Sequence, residues 1–290
     1  MKLVILGIDG LEYNFVARYR LSNIMQKKYG KIDLSEFDVI VTPPIWASFL
    51  TGYVCKELND IFKKRVSDKS ILRKIMQRVL NNLPTSLKGI VYKFGPRILK
   101  NPMDLTLSYL SKNNIKTILD EFRSWYLTIP GYNETHDKYA STLLRKGIDE
   151  LIKNNRFGKY SIEYEKYISK IHFERKKKFL KSLKHDYDTY DIWFFYTDYL
   201  DALPHLFISD KIRMMKYYFE IDQLVSEVHK RVSEDTIIFV VSDHGMKKVG
   251  RLGDHSDYGF WSVSADITIG ENPKPSDFHR IWKNLLRGGL

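Results

Sequence analysis

The chain has 290 residues, 43% of them hydrophobic, and a formal net charge of +12 at pH 7. Its apolar content excludes a disordered chain, and no apolar run approaches the roughly 20 residues of a transmembrane helix. A single cysteine, Cys55, excludes an intrachain disulfide framework and a cysteine-rich zinc site. We therefore expect a soluble, cytoplasmic protein whose positive charge suits nucleic acid, anionic lipid or phosphorylated substrates.

The first predicted element is an apolar run over residues 2–8, which ends at Asp9 and Gly10. The run is too short for an export segment, so it predicts a buried strand. Similar β-rich runs follow at residues 38–41, 125–131, 191–197, 236–242 and 258–264. Runs of this almost continuous apolar composition indicate strands covered on both faces, which is typical of a mostly parallel sheet.

Helical periodicity dominates the middle of the chain, over residues 56–124 and 134–188. It recurs over residues 208–232, between two of the predicted strands. A strand, a long helix and a further strand form the crossover unit of an α/β protein. The pattern therefore predicts the α/β class, with helices packed on both faces of the sheet.

The distribution of these elements predicts how the chain is divided. Residues 1–55 and 190–270 carry most of the predicted strands and form an α/β core. Residues 56–189 form a mostly helical cap, which is inserted between the core halves and contributes one short strand near 125–131. Residues 271–290 form a peripheral C-terminal tail.

Acidic and imidazole side chains recur where the predicted strands end. In open α/β sheets, ligands bind beyond the carboxyl ends of the strands. An i,i+4 pair on a helical turn can reach one metal ion, and a glycine-flanked loop adds a further histidine. Carboxylate and imidazole groups bind Zn²⁺, and also Mn²⁺ or Fe²⁺. The sequence therefore predicts a centre for two divalent metal ions, most simply zinc, from Asp9, Asp201, His205, Asp243, His244 and His255.

Thr42 is the predicted nucleophile. It follows the predicted strand at 38–41 and precedes Pro43 and Pro44, which suit the first turn of a helix. The positive end of that helix favours an anionic phosphate beside the Thr42 hydroxyl. Ser48 is the rival hydroxyl, but it lies well inside the same predicted helix.

These motifs together resemble the type I phosphodiesterase/nucleotide pyrophosphatase branch of the alkaline phosphatase superfamily. The resemblance covers both core halves, whereas the cap is only loosely similar. It is carried, in this order, by Asp9-Gly10, Thr42-x-Pro44 with Thr51-Gly52, Asp201-x-x-x-His205, Ser242-Asp243-His244-Gly245-Met246 and His255-x-x-x-Gly259.

The resemblance implies a three-layer α/β/α sandwich and a role for each matching residue. Asp201, His205 and His255 would hold one metal ion. The other would be held by Asp9, Asp243 and His244, with the oxygen of Thr42 as a further ligand. Thr42 would form a covalent phosphothreonine during hydrolysis of a phosphodiester or nucleotide-like substrate.

One position departs from the family pattern. An asparagine about twenty residues after the nucleophile contacts the phosphate in that branch, yet Lys63 stands there in this chain. Asn59, Lys56 or a residue of the cap would have to supply that contact.

Two other functions remain open at this point. A phosphomonoesterase or phosphomutase would use the same metal site on a more highly charged substrate. The positive charge also suits a non-catalytic protein that binds nucleic acid or a phosphorylated ligand. That alternative leaves the ordered set of metal-type residues unexplained.

Overall fold

The computed structural model describes residues 1–64 and 107–289. The predicted helical pattern over residues 65–106, and Arg65 of the basic run that begins at Lys63, lie outside the described residues. A six-stranded sheet runs through the described part in the order β2-β8-β5-β1-β4-β3. These strands are β1 (Leu3–Ile8), β2 (Lys28–Asp33), β3 (Ser124–Tyr126), β4 (Ile192–Thr197), β5 (Ile237–Ser242) and β8 (Tyr258–Val263).

The sheet is mostly parallel. Strand β1 pairs in parallel with both β4 and β5, and β3 pairs in parallel with β4. Only β8 runs the other way, because it is antiparallel to both β5 and β2. Every residue of β1, β4 and β5 is buried, as their continuous apolar composition predicts. The predicted α/β class is confirmed.

Helices cover both faces of this sheet. Alternate residues of β1 point to opposite sides, so that Val4 and Leu6 join one apolar cluster and Leu3 and Ile5 join the other. Before the undescribed segment the helices are α1 (Tyr13–Tyr19), α2 (Ser22–Met25) and α3 (Thr42–Thr51), and residues 56–64 are also helical. After it come α4 (Tyr109–Lys112), α5 (Ile118–Glu121), α6 (Lys138–Asn154), α7 (Lys159–His185), α8 (Tyr199–Ala202), α9 (Pro204–Phe207), α10 (Lys211–His229) and α11 (Pro275–Leu286). The arrangement is the predicted three-layer sandwich.

The strand predicted at residues 38–41 is wrong. These residues form a loop, and the strand in this part of the chain is β2, which begins ten residues earlier. Strand β2 lies at an edge of the sheet and is rich in charged residues, so it lacks the apolar run of a central strand. In the loop, the carbonyl oxygen of Ile40 lies 3.1 Å from Nδ1 of His255. It therefore contacts a candidate metal ligand and not a neighbouring strand.

A small hairpin, made of β6 (Met246–Val249) and β7 (Leu252–His255), projects from the end of β5. It was not predicted, because Lys247 and Lys248 give β6 no apolar pattern. His255, which we expected in a loop, is the last residue of β7.

The C-terminal helix α11 packs against α3 more deeply than its predicted peripheral position implies. Phe278 and Trp282 are fully buried, and the ring of Trp282 stacks on Phe49 with centroids 6.0 Å apart. The division of the chain into core, cap and tail stays a prediction. Within the described residues, no helix combines the length and the apolar character needed to cross a membrane.

Replacement of Trp282 by alanine should lower the free energy of unfolding by about 3–5 kcal/mol, since it leaves a cavity between α3 and the sheet. Chemical denaturation followed by circular dichroism measures the change. Arg280→Ala is the control, because this side chain on the same helix is 73% exposed and should cost less than about 0.5 kcal/mol. Equal effects of both substitutions would contradict the assignment of α11 to the core.

Candidate metal centre

The candidate metal ligands converge at the carboxyl ends of three neighbouring strands. Asp9 directly follows β1, and Asp243 and His244 directly follow β5. Asp201 lies on α8, which begins two residues after β4. Because these strands are parallel and adjacent in the sheet, their ends share one edge. This topology brings together residues that lie more than 200 positions apart in the chain.

Gly10 allows the loop after β1 to approach α8 closely. Its φ is +74°, and a Cβ atom at this position would lie 2.3 Å from the carbonyl oxygen of Leu200. Any other residue would therefore be strained and would push Asp9 away from the neighbouring Asp201. The Asp9-Gly10 motif therefore requires glycine at its second position.

Asp201 is the contact shared by two histidines. Its Oδ1 lies 3.2 Å from Nε2 of His205 and 3.3 Å from Nε2 of His255. Asp201 and His205 lie on the consecutive short helices α8 and α9, so the expected i,i+4 proximity is present. The hairpin then brings in His255 at its base, where His255 pairs with Met246.

His244 lies between the two halves of the centre. Its Nε2 lies 3.2 Å from Oδ1 of Asp9, 3.5 Å from Oδ2 of Asp243 and 3.9 Å from Oδ1 of Asp201. The hydroxyl of Thr42 is 3.4 Å from the same nitrogen. All seven residues predicted for the site are therefore linked by contacts of 3.9 Å or less.

Among residues 1–64 and 107–289, two sets of three side chains have ligand atoms within 4.8 Å of one another. One set is Asp9, Asp243 and His244, which matches the grouping implied by the resemblance. The other is Asp201, His244 and His255, in which His244 replaces His205. His205 reaches the centre through Asp201 alone among these contacts.

The three histidines are oriented in the same way. Nδ1 of His205 faces the carbonyl oxygen of Gly253 at 3.0 Å, and Nδ1 of His244 faces that of Gly245 at 3.1 Å. His255 makes the corresponding contact with Ile40. A carbonyl oxygen only accepts, so each Nδ1 carries a hydrogen and Nε2 is left to face the carboxylates. A nitrogen lone pair facing a carboxylate requires a proton or a cation between them.

Four oxygen atoms of these carboxylates lack a hydrogen-bond donor among the described residues. Oδ1 of Asp9, Oδ1 of Asp201 and both oxygens of Asp243 are buried without a hydrogen bond among the described residues. Uncompensated buried carboxylates cost several kcal/mol each, roughly, unless a proton or cation neutralises them. Unpartnered carboxylate oxygens beside imidazole Nε2 atoms form the donor set that Zn²⁺ and related divalent ions bind. The residues present therefore fit the predicted metal ions.

The pKa values of the centre are shifted because its ionisable groups are buried close together. Burial raises the pKa of Asp9 to about 7 and raises the pKa of Asp243 well above its usual value. Burial lowers the pKa of His244 to about 3. Burial also acts to lower the pKa of His255, but Asp201 outweighs it and raises that pKa to about 9. Without a metal ion, protons occupy the positions that a cation would take.

Tyr196 is a residue of the centre that the sequence interpretation missed. Its hydroxyl donates a hydrogen bond of 2.7 Å to Oδ2 of Asp9, and both side chains are buried. Tyr196 lies within β4, where a tyrosine in an otherwise apolar buried strand signals that its hydroxyl needs a partner. The bond leaves Oδ1 of Asp9 directed towards His244.

A cavity of about 360 Å³ opens from the centre. Thr42 and Asp9 line one part of it, and α6 and α7 supply apolar side chains such as Leu144 and Ile168. Charged residues outside the predicted set also line it: Glu134, Asp137, Arg175 and Asp198. Their sequence neighbourhoods carry no motif, so only the fold reveals them.

Thr42 is the first residue of α3, as predicted. The loop after β3 packs on this helix start, since Gly131 has a φ of +80° and a Cβ there would lie 2.5 Å from the carbonyl oxygen of Pro43. Pro43 and Pro44 lack N–H groups, so they remove two of the donors that a helix start normally offers an anion. Side chains and metal ions must therefore supply most of the positive charge at this end.

Comparison with known proteins identifies the family. The family model for type I phosphodiesterase/nucleotide pyrophosphatase matches residues 3–259. The chain therefore belongs to this family of phosphoric ester hydrolases, whose substrates are phosphodiesters or nucleotides. A search of curated proteins found no match.

Replacement of Tyr196 by phenylalanine should weaken binding of Zn²⁺ by about 10–100-fold, because Asp9 loses the bond that orients it. Competition with a chromogenic chelator measures the affinity. The control is Tyr167→Phe, which removes a tyrosine–carboxylate bond of 2.9 Å to Asp137, a residue outside the ligand set. If both variants bind Zn²⁺ like the wild type, Tyr196 does not support the metal centre.

Metal affinity should also rise with pH. Below pH 7 the cation must displace protons from both Asp9 and His255, and between pH 7 and 9 still from His255, given their pKa values of about 7 and 9. The affinity should therefore increase at least about tenfold per pH unit from pH 6 to 8. Calorimetric titration in buffers of different ionisation enthalpy measures the released protons; release of none would contradict the assigned ligands.

Proposed function

We propose that this member of the family is a phosphodiesterase that uses Thr42 as its nucleophile at a centre for two divalent metal ions. The observation that carries the proposal is the position of the Thr42 hydroxyl. It lies 3.4 Å from Nε2 of His244, which is surrounded by carboxylate oxygens that lack a hydrogen bond among the described residues, and Thr42 lines the cavity.

In this proposal Asp9, Asp243 and His244 hold one ion, with the Thr42 oxygen as a further ligand. Asp201, His205 and His255 hold the other. Bound divalent ions supply Lewis acidity, which lowers the pKa of a coordinated hydroxyl and stabilises negative charge on the departing oxygen. Zinc suits the mixed imidazole and carboxylate set best, and manganese or iron would also suit it.

The residues of the chain perform the two chemical steps in sequence. The Thr42 hydroxyl releases its proton to solvent and its oxygen attacks phosphorus, while the bond from phosphorus to the leaving alkoxide breaks and that alkoxide takes up a proton from solvent. Water then attacks the phosphorus of the phosphothreonine, the bond from Thr42 to phosphorus breaks, and the Thr42 oxygen regains a proton as the phosphomonoester is released. The start of α3 fixes the nucleophile, because Pro43 and Pro44 hold the backbone in the helical conformation.

The burial of the other hydroxyls on α3 supports Thr42 over its rivals. Ser48 is completely buried within the helix. Thr51 donates a hydrogen bond of 2.8 Å to the carbonyl oxygen of Ala47, and it lies at the far end of the helix. Among the hydroxyls of this helix, only that of Thr42 lines the cavity.

Arg175 is our candidate for the residue that contacts the phosphate in place of the asparagine of the family pattern. Its guanidinium lines the cavity and makes only long contacts, 3.4 Å to Asp198 and 4.0 Å to Glu134, so donors remain for an anionic substrate. Lys63 is instead paired with Asp38 at 2.9 Å. Neither Asn59 nor Lys56 is among the described residues that line the cavity.

The charge of the cavity favours a diester over a monoester. Asp137 and Asp198 add negative charge beyond the proposed ligands, against one permanent cation, Arg175, among the described lining residues. A monoester dianion carries one more negative charge than a diester, so these carboxylates disfavour it. The phosphomonoesterase or phosphomutase alternative is thus the weaker one.

Replacement of Thr42 by alanine should reduce hydrolysis of bis-p-nitrophenyl phosphate by at least about a thousandfold, since no covalent intermediate can form. The assay uses chelated protein to which Zn²⁺ or Mn²⁺ has been added back. Thr42→Ser is the matched variant and should keep measurable turnover, because it retains a hydroxyl. Both variants should bind metal to within about tenfold of the wild type, since the carboxylates and histidines remain.

The same assay with p-nitrophenyl phosphate separates the two candidate activities. Turnover of the diester above that of the monoester supports the phosphodiesterase. A preference for the monoester would support the alternative activity. Full activity of the Thr42→Ala variant would overturn the assignment of the nucleophile, whichever ester is preferred.

A further inference from the structure

A second cavity, of about 640 Å³, lies on the surface away from Thr42. It is formed where the C-terminal end of α6, the start of α10 and the hairpin of β6 and β7 meet. Basic side chains from all three segments line it, and we call it the basic groove: Arg156, Lys211, Lys248 and Arg251. Two hydrogen bonds tie the segments together, from Arg251 to the carbonyl oxygen of Asn155 at 2.9 Å and from Ser209 to that of Arg251 at 3.1 Å.

The cations of the basic groove are not neutralised within the described part of the chain. None of the four has a carboxylate within 4.0 Å there, although many other lysines and arginines do. Among the described residues that line the groove, Asp210 is the one acidic residue. It forms an ion pair of 2.5 Å with Arg213 and accepts a hydrogen bond from the backbone N–H of that residue in the first turn of α10. The groove therefore presents concentrated positive charge that an anionic partner would neutralise.

Large aliphatic side chains stand exposed on the same three segments, and one of them, Ile212, lines the groove itself. Ile212 is 85% exposed, Ile152 is 68% exposed and Val249 is 54% exposed. Each is next in sequence to a lysine: Ile152 to Lys153, Ile212 to Lys211 and Val249 to Lys248. A single exposed aliphatic residue is ordinary, but here each of the three segments that build one cationic surface carries one.

We propose that the basic groove and its exposed aliphatic residues form a docking surface for an anionic lipid membrane. The cations would pair with lipid phosphates, and the aliphatic side chains would enter the boundary between headgroups and acyl chains. A nucleic acid would use the cations but not the aliphatic side chains, because single strands are bound by stacking on aromatic rings. Phe157, an aromatic residue of the groove, is already covered by the guanidinium of Arg213, 5.2 Å from its ring centroid.

The docking surface is continuous with the metal centre through the hairpin. The hairpin begins two residues after His244 and ends at His255, so ligands proposed for the metal ions flank it on both sides. A membrane bound there would therefore contact the turn end of a hairpin whose base, at Met246 and His255, lies at the proposed metal centre. Binding does not require the proposed reaction, so it can be tested separately from catalysis.

Cosedimentation of the whole chain with vesicles tests this proposal. Vesicles of phosphatidylglycerol mixed with phosphatidylcholine should bind the protein, and phosphatidylcholine alone should not. A charge variant replaces Arg156, Lys211, Lys248 and Arg251 by glutamine, and it should lose at least about a hundredfold in affinity, given about 1 kcal/mol for each cation near an anionic surface. An apolar variant, Ile212→Ser with Val249→Ser, should lose about tenfold.

The control removes the same charge from another surface. It replaces Lys177, Lys178, Lys181 and Lys184, which are exposed on α7, by glutamine and should retain most of the binding. Equal loss in this control would show that net charge alone drives binding and would overturn the proposal. So would an absence of binding to anionic vesicles, or an apolar variant that binds as well as wild type. Binding of single-stranded RNA that depends on the groove but not on Ile212 would assign the surface to nucleic acid instead.

Discussion

The crowding of three carboxylates at one edge of the sheet, two of them fully buried and Asp201 20% exposed, is the constraint on which the rest of this structure depends. Asp9, Asp201 and Asp243 lie around the same imidazole nitrogen, and several of their oxygens accept no hydrogen bond from the residues that the structure describes. Such an arrangement is stable only when protons or cations neutralise it. The surrounding structure is consistent with metal ions in that position. Carbonyl oxygens fix the Nδ1 side of each histidine, and Tyr196 holds the outer oxygen of Asp9.

Much of the fold and of the site could be predicted, because strong local signals carry them. The buried parallel strands are continuous apolar runs, and each is followed by the acidic residue or motif that the edge of the sheet requires. The motifs of Asp9, Asp201 and Asp243 therefore indicated their places before any contact was known. The motifs also occur along the chain in the order that is typical of the family.

The features that could not be predicted depend on partners distant in sequence. Within the described part of the chain, strand β2 pairs with β8 alone, so its charged residues form no apolar pattern, whereas the loop at 38–41 does contain a short apolar run. Tyr196 becomes part of the site only because β1 and β4 are neighbours, which brings it within 2.7 Å of Asp9. Arg175 begins the run of basic residues that continues with Lys176, Lys177 and Lys178, and nothing in the local sequence distinguishes it from them. The basic groove likewise arises from three segments that meet only in the folded chain.

The two proline residues after Thr42 position the proposed nucleophile but do not contribute to binding an anion. They fix the start of α3 but remove N–H donors, so the anionic substrate must be held by cations rather than by the helix start. The cavity then adds an apolar wall from α6 and α7, with a single permanent cation, Arg175, among its described lining residues. In the proposed function, charge at the edge of the sheet would select the phosphoryl group, and the helical wall would select what is attached to it.

Anomalous X-ray scattering from crystals grown with Zn²⁺ is the most direct test of this account. Data collected on both sides of the zinc absorption edge locate each ion independently of the protein atoms. The account predicts two peaks, one among Asp9, Asp243, His244 and Thr42 and the other among Asp201, His205 and His255. No peak at this edge of the sheet in crystals whose soaking solution saturates the protein would contradict it, because the buried carboxylates would then have to be neutralised by protons alone.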